Sequence, residues 1–162
     1  LRMLPGAAQA VFARFGSVHR NTYLNAPRHL APTLELRCRP GVYVAGQIAG
    51  VEGYVESAAS GLMAGRNAAA RVLGRPLRVP PRTTALGALA YYVSHADPRH
   101  YQPTNITFGI VEPIDDRSLP RLKAADGRKL SRREARKLAL SERALRDLEQ
   151  WQHADAPERA VR

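Results

Sequence analysis

Cysteine is almost absent from the 162 residues: Cys38 stands alone, which forbids an internal disulfide framework and leaves no thiolate cluster for zinc. That usage fits a reducing compartment. No apolar run reaches the roughly 18 to 20 residues that span a bilayer, and no basic-then-apolar leader opens the chain, so the expectation is a cytoplasmic protein without a membrane partner. Internal repeats and low-complexity tracts are missing too. The first residue is Leu1, not Met, which suggests the C-terminal piece of a longer polypeptide. Acids are scarce: 14 Asp and Glu face 25 Lys and Arg, for a net charge of +11 and a pI near 10.8.

The excess of positive charge sits at the two flanks. Residues 1–50 carry six arginines against one acid, residues 51–116 six against six, and residues 117–162 thirteen Lys and Arg against seven acids. Such a distribution points to a polyanionic partner, because Lys and Arg that neutralise phosphates release condensed counterions. Solvated basic faces in an arginine-rich chain are the competing explanation. The same division suggests two parts, 1–116 and a basic helical tail over 117–162.

Local patterns predict mixed elements. Ala10 to Pro27 reads as a strand and turn that stop at the proline, followed by an extended "TLELR" that ends at Arg39, Pro40 and Gly41. "VYVAG", from Val42, has the look of a short strand buried in a parallel sheet. Tyr54 to Leu73 reads as a helix closed by Gly74, and Thr83 or Thr84 caps a second helix through "ALGALAYYVSH". "NITFGIV" suggests one short strand inside a proline-rich loop. In the tail, Ser131 and Glu134 form a capping-box pattern, and Leu138, Leu145, Leu148 and Trp151 are expected along one helical stripe.

The segment between strand and helix has its own chemistry. Gly46, Gly50 and Gly53 leave three positions of a strand-to-helix turn without a Cβ, so backbone can approach a flat or anionic ligand there. The helix beyond presents free N–H groups and a positive dipole end, which favour a phosphate or the N1–C2=O2 edge of a reduced flavin. The spacing is not the dinucleotide fingerprint, and on chemistry alone a ligand site and a tight structural turn fit equally well. Gly61, Gly65 and the neighbouring alanines thin the same helix for close packing.

Four blocks, "HRNTYLNAP", "AGQIAGVEGYVESAASGLMAGRNAA", "PPRTTALGAL" and "QPTNITFGI", resemble in this order the C-terminal third of the folate- and FAD-dependent tRNA (uracil-5-)-methyltransferases, the TrmFO family. The resemblance covers about Leu4 to Gln152. It implies an α/β fold: the C-terminal part of a FAD-binding, glutathione-reductase-like domain, followed by the helical tail. It also implies an enzyme that takes a methylene group from 5,10-methylenetetrahydrofolate, reduces it with FAD and NAD(P)H, and makes 5-methyluridine at the T-loop uridine of tRNA.

Carried over residue by residue, Gly46, Gln47, Gly50, Glu52, Gly53 and Tyr54 become flavin contacts. His19 becomes a ring stacked on the folate pteridine, or a strand-end histidine bonded to backbone. The family's GxGxxG segment and the region of its catalytic cysteines have no counterpart here, so no catalytic residue is assigned and the missing N-terminal part of the same polypeptide is an expected partner. Cys38 is expected to be an ordinary structural cysteine, buried as a small hydrophobe, rather than a thiolate activated by Arg37 and Arg39. Arg132, Arg133 and Arg136 are the candidate phosphate contacts. His29, His95, His100 and His153 lack metal-ligand spacing, and Tyr91 and Tyr92 read as core and rim of one helix rather than a base-stacking platform. Two other functions stay open: the related flavoprotein that carboxymethylaminomethylates the wobble uridine, and a basic RNA-binding module without chemistry.

Overall fold

Helices dominate the computed structural model, which describes residues 2–11, 21–115, 117, 119 and 128–154. Among these residues, α1 is Ala26–His29, α2 Tyr54–Val72, α3 Ala85–His95 and α4 Arg132–His153, and a 3-10 turn at Gly46–Ala49 leads into α2. The β pairing among them consists of three isolated bridges, Leu30 with Leu36, Glu35 with Tyr43, and Val51 with Thr104. The expected α/β character is therefore present only as these contacts beside the helices.

Two strand expectations need correction. Val42 to Gly46 is half-buried and irregular, and only Tyr43 pairs, antiparallel, with Glu35. No second described strand lies alongside to extend the ladder, so an apolar run alone does not become a strand. Likewise "NITFGIV" is turn and coil; the parallel bridge is made by Thr104, just before it. Near the start, Pro27 lies in the first turn of α1, where its missing N–H costs nothing, so it begins an element instead of ending one.

The helices follow their local signals closely. α2 ends in a Schellman motif: Gly74 at φ +65° donates its N–H to the Arg71 carbonyl, and Arg75 donates to Ala70. α3 is capped by Thr84, whose Oγ1 accepts from Gly87 N–H at 3.0 Å and donates to the Pro81 carbonyl at 2.7 Å. A Cβ on Gly87 would lie 2.0 Å from that carbonyl, so the helix can start this close to its own connector only with glycine there. α4 has the full capping box between Ser131 and Glu134.

One core joins α1, the 3-10 turn, α2 and α3 through Ala26, Leu30, Leu34, Ala49, Val51, Met63, Leu89, Val93 and Tyr101. Asn67, on the buried face of α2, ties the long connector to it: its Oδ1 accepts from Arg78 N–H at 2.8 Å and its amide donates to the Arg78 and Thr33 carbonyls. Glu35 holds the 35–43 turn to α2 by accepting Gly41 N–H at 2.6 Å and Arg71 at 2.7 Å. The Gly41 N–H, and then Arg71, hold its carboxyl below the ordinary range.

α4 turns a different face inward than the leucine stripe suggests. Ala135 and Leu140 are buried and Leu148 and Trp151 half-buried, whereas Leu138 and Leu145 are 40% and 67% exposed. The packed side, with Ala135 and Leu140, lies away from those two leucines. Its end is fixed by Trp151, whose ring packs against the Arg66 and Arg78 guanidiniums at 5.2 and 5.1 Å. Cys38 is exposed, contrary to the expectation of a buried thiol, because it sits in the hairpin turn just ahead of Pro40 and Gly41.

Candidate functional site

An open cavity of about 700 Å³ lies where the 3-10 turn runs into α2. Three stretches far apart in sequence form it: Asn21 and Tyr23; Gln47 and Val51 to Tyr54 with Ser57; and Gln102, Pro103 and Asn105. Backbone bonds clamp them together. Leu24 N–H donates to the Ile48 carbonyl at 2.8 Å, Thr104 N–H to Gly50 at 3.0 Å, and Glu52 N–H to Thr104 at 2.9 Å. The parallel bridge between Val51 and Thr104 is thus a structural part of the site.

Of the six residues that the sequence blocks assign to the flavin, Gln47, Glu52, Gly53 and Tyr54 line this cavity. Gly46 and Gly50 do not, and their chemistry is conformational. Gly46 has φ +66° and donates its N–H to Ser60 Oγ at 2.9 Å; Gly50 has φ +80° and is buried against Tyr101. His19 lies outside the described residues, two positions before the lining residue Asn21. Gln102, Pro103, Asn105 and Tyr23 have no assigned role in the sequence reading. Their only signal is membership of the "QPTNITFGI" and "HRNTYLNAP" blocks, whose chemistry shows only when the blocks meet.

The start of α2 shapes what can bind. Gly53, at φ +92°, precedes the helix with no capping side chain, so the first N–H groups carry the positive end of the dipole at the cavity wall. Around the same glycine crowd the Glu56 carboxylate and the Asn105 amide: a Cβ there would lie 2.1 Å from Glu56 Oε2 and 2.9 Å from Asn105 Nδ2. With Glu52 and Glu56 both present, a doubly charged phosphate meets repulsion at this spot. A planar ring with a partially negative edge gains the donors at lower electrostatic cost. Tyr54 is 98% exposed and borders the opening. Behind the lining residue Tyr23, Tyr101 packs edge to face on it at 6.1 Å and Tyr92 tilts against Tyr101 at 5.6 Å, and burial pushes the Tyr101 phenol up from its ordinary value.

Comparison with known proteins bears on these blocks directly. Residues 1–76 match the family described as "Glucose inhibited division protein A". The chain is 50% identical over 158 residues to the "Methylenetetrahydrofolate--tRNA-(uracil-5-)-methyltransferase TrmFO" of Symbiobacterium thermophilum, covering 96% of this chain and 33% of that protein. Against the protein of the same name from Solibacter usitatus it is 52% identical over 155 residues, 95% of this chain and 33% of the relative.

Over nearly all of its length the chain is similar to these TrmFO proteins.

It spans about a third of the length of the curated relatives it matches. A third TrmFO relative, from Pelotomaculum thermopropionicum, is 55% identical over 116 residues, 72% of this chain and 26% of that protein. Among the described residues, no group of three His, Cys, Asp or Glu could hold a metal ion, and no helix is long and apolar enough to cross a membrane. Arg132, Arg133 and Arg136 are exposed on the first turns of α4.

Proposed function

We propose that this chain is the flavin- and tRNA-facing part of an enzyme that forms 5-methyluridine in the T loop of tRNA. The supporting observation is the convergence of three family blocks on one cavity at the N-terminus of α2. The names of the relatives, which specify methylenetetrahydrofolate, tRNA and the uracil 5 position, favour this reading over wobble-uridine modification or RNA binding alone.

FAD fits the cavity by the chemistry of its donors. Gln47, Gly53 and Tyr54 would hold the ring, with α2 N–H groups at its pyrimidine edge, while Gly46 and Gly50 shape the turn that exposes them. Bound there, FAD reduced by NAD(P)H supplies the reducing equivalents for converting a methylene to a methyl group. The residues of this chain orient the ring and shield one face of the cavity. Gln102 and Asn105 add amide groups opposite α2, suited to reading a heteroaromatic edge, and His19 is assigned to stack on the folate pteridine.

The glutathione-reductase-like architecture belongs to the same proposal. Val55, Leu62 and Val72 on the outer face of α2 are 80%, 66% and 86% exposed. Packing against the remaining two thirds of a family polypeptide would cover them, which makes that polypeptide, in its N-terminal part, the intramolecular partner.

The test is methyl transfer by the full-length protein to a tRNA transcript, supplied with 5,10-methylenetetrahydrofolate and NAD(P)H, with bound flavin read by absorbance. 5-Methyluridine in the T loop is expected, and Asn105→Ala should lower the folate-dependent rate while retaining flavin. Modification at the wobble position instead would move the chain to the related flavoprotein.

A further inference from the structure

Outside the cavity, the described structure holds a column of stacked planar groups, on α3 and the connector before it, that no part of the proposed chemistry uses. The Arg82 guanidinium lies 3.4 Å from the centre of the Tyr91 ring, and His95 stacks on Tyr91 with centroids 4.2 Å apart and planes 6° from parallel. Tyr91 and His95 are one helical turn apart on α3, so helix geometry aligns their rings. Arg82 comes from the connector that ends at Pro80 and Pro81. Both terminal members, Arg82 and His95, are exposed, and Tyr91 is half-buried.

The two ends of the column differ in what they hold. His95 is oriented through Nδ1, which lies 3.2 Å from the Tyr91 carbonyl and 2.8 Å from Ser94 Oγ. That fixes the ring against Tyr91. Among the described residues, no carboxylate or carbonyl takes the guanidinium N–H groups of Arg82. Arg78, four residues earlier, is by contrast engaged: it donates to the Trp151 carbonyl at 3.1 Å and packs on the indole. The connector "RPLRVPPR" carries three arginines and no acid.

We infer that the Arg82–Tyr91–His95 column is a stacking contact for an unpaired base of the RNA substrate, with Arg82 also offering donors to the adjoining phosphate. The inference rests on the tRNA reading above and adds to it a specific surface away from the flavin cavity. Two properties point to RNA. Unpaired bases are recognised by stacking on aromatic rings and guanidinium planes, and the column is already at stacking distance with exposed members at both ends. The chain's charge of +11 attracts a polyanion to it.

Binding of a tRNA transcript to the full-length protein, followed by fluorescence anisotropy over a range of salt, tests the surface. His95→Ala and Tyr91→Leu should each weaken binding about 5- to 100-fold, the range of one base-stacking interaction, with the salt slope unchanged. Tyr91→Phe, which keeps the ring, should bind like the parent. Arg82→Ala should weaken binding and lower the log-log slope by up to about 1. A melting curve checks each variant, and the exposed His95 and Arg82 changes carry the test if Tyr91→Leu fails to fold. Parent protein that binds tRNA while His95→Ala and Arg82→Ala bind equally well overturns the column. Parent protein that binds no tRNA at all overturns the substrate reading, and the column with it.

Discussion

The hydroxyl of Tyr101 fills the space that a side chain on Gly50 would need. It donates to the Ala49 carbonyl at 2.6 Å, and a Cβ on Gly50 would lie 2.1 Å from it. Gly50→Ala therefore meets both a clash and a backbone at φ +80°, and should destabilise the protein by about 2 to 4 kcal/mol in urea unfolding. Tyr101→Phe in that background should recover part of the loss, since the hydroxyl is the first atom in the way. Equal stability of Gly50→Ala and the parent would mean that the turn relaxes freely.

Asn67 is the joint between α2 and the connector that carries Arg78. Replacing it by Ala leaves the Arg78 N–H and two carbonyls without their partners in a buried place, at an expected cost of about 2 to 4 kcal/mol. Asn67→Asp should also destabilise, because the carboxylate has neither amide donor. Thermal melts that place either variant within a degree of the parent would show that water replaces the joint.

Glu134 gives α4 a pH dependence. Its bonds from Arg128 first, and then from Ser131, lower its carboxyl from 4.5 to about 2. Because the folded-state value lies below the ordinary one, the contribution to helix stability is complete above about 4.5 and is lost as pH falls toward about 2. The NMR titration of Glu134 should show the low midpoint, and amides at the start of α4 should exchange faster below pH 4. Glu134→Gln should remove that dependence; fraying that begins near neutrality would contradict the assignment.

The exposed arginines at the start of α4 should contribute charge to tRNA binding. Neutralising Arg132, Arg133 and Arg136 together should lower the magnitude of the log-log salt slope of tRNA binding by about 0.7 to 0.9 for each phosphate that is no longer neutralised. An unchanged slope would return them to a solvated face.

Features with local causes are legible in the chain before any packing is known. Thr84 before α3, the Ser131 and Glu134 box before α4 and Gly74 after α2 all belong to this class, because a cap is satisfied within a few residues of the chain. The family is legible for another reason: four blocks in fixed order constrain the identity of the chain even where no single block has clear chemistry. Which residues meet depends instead on packing. Gln102 and Asn105 reach Gly53 through the Thr104 bridge, and Tyr101 closes on Gly50, pairings about 50 positions apart that no periodicity encodes. The same holds for faces and exposure. Leu138 and Leu145 point to solvent because α4 packs through the side that carries Ala135 and Leu140, Val42 to Gly46 lacks a neighbouring strand among the described residues, and Cys38 lies on a hairpin turn. Burial depends on what lies opposite a residue, and in this chain that neighbour is usually far away in sequence.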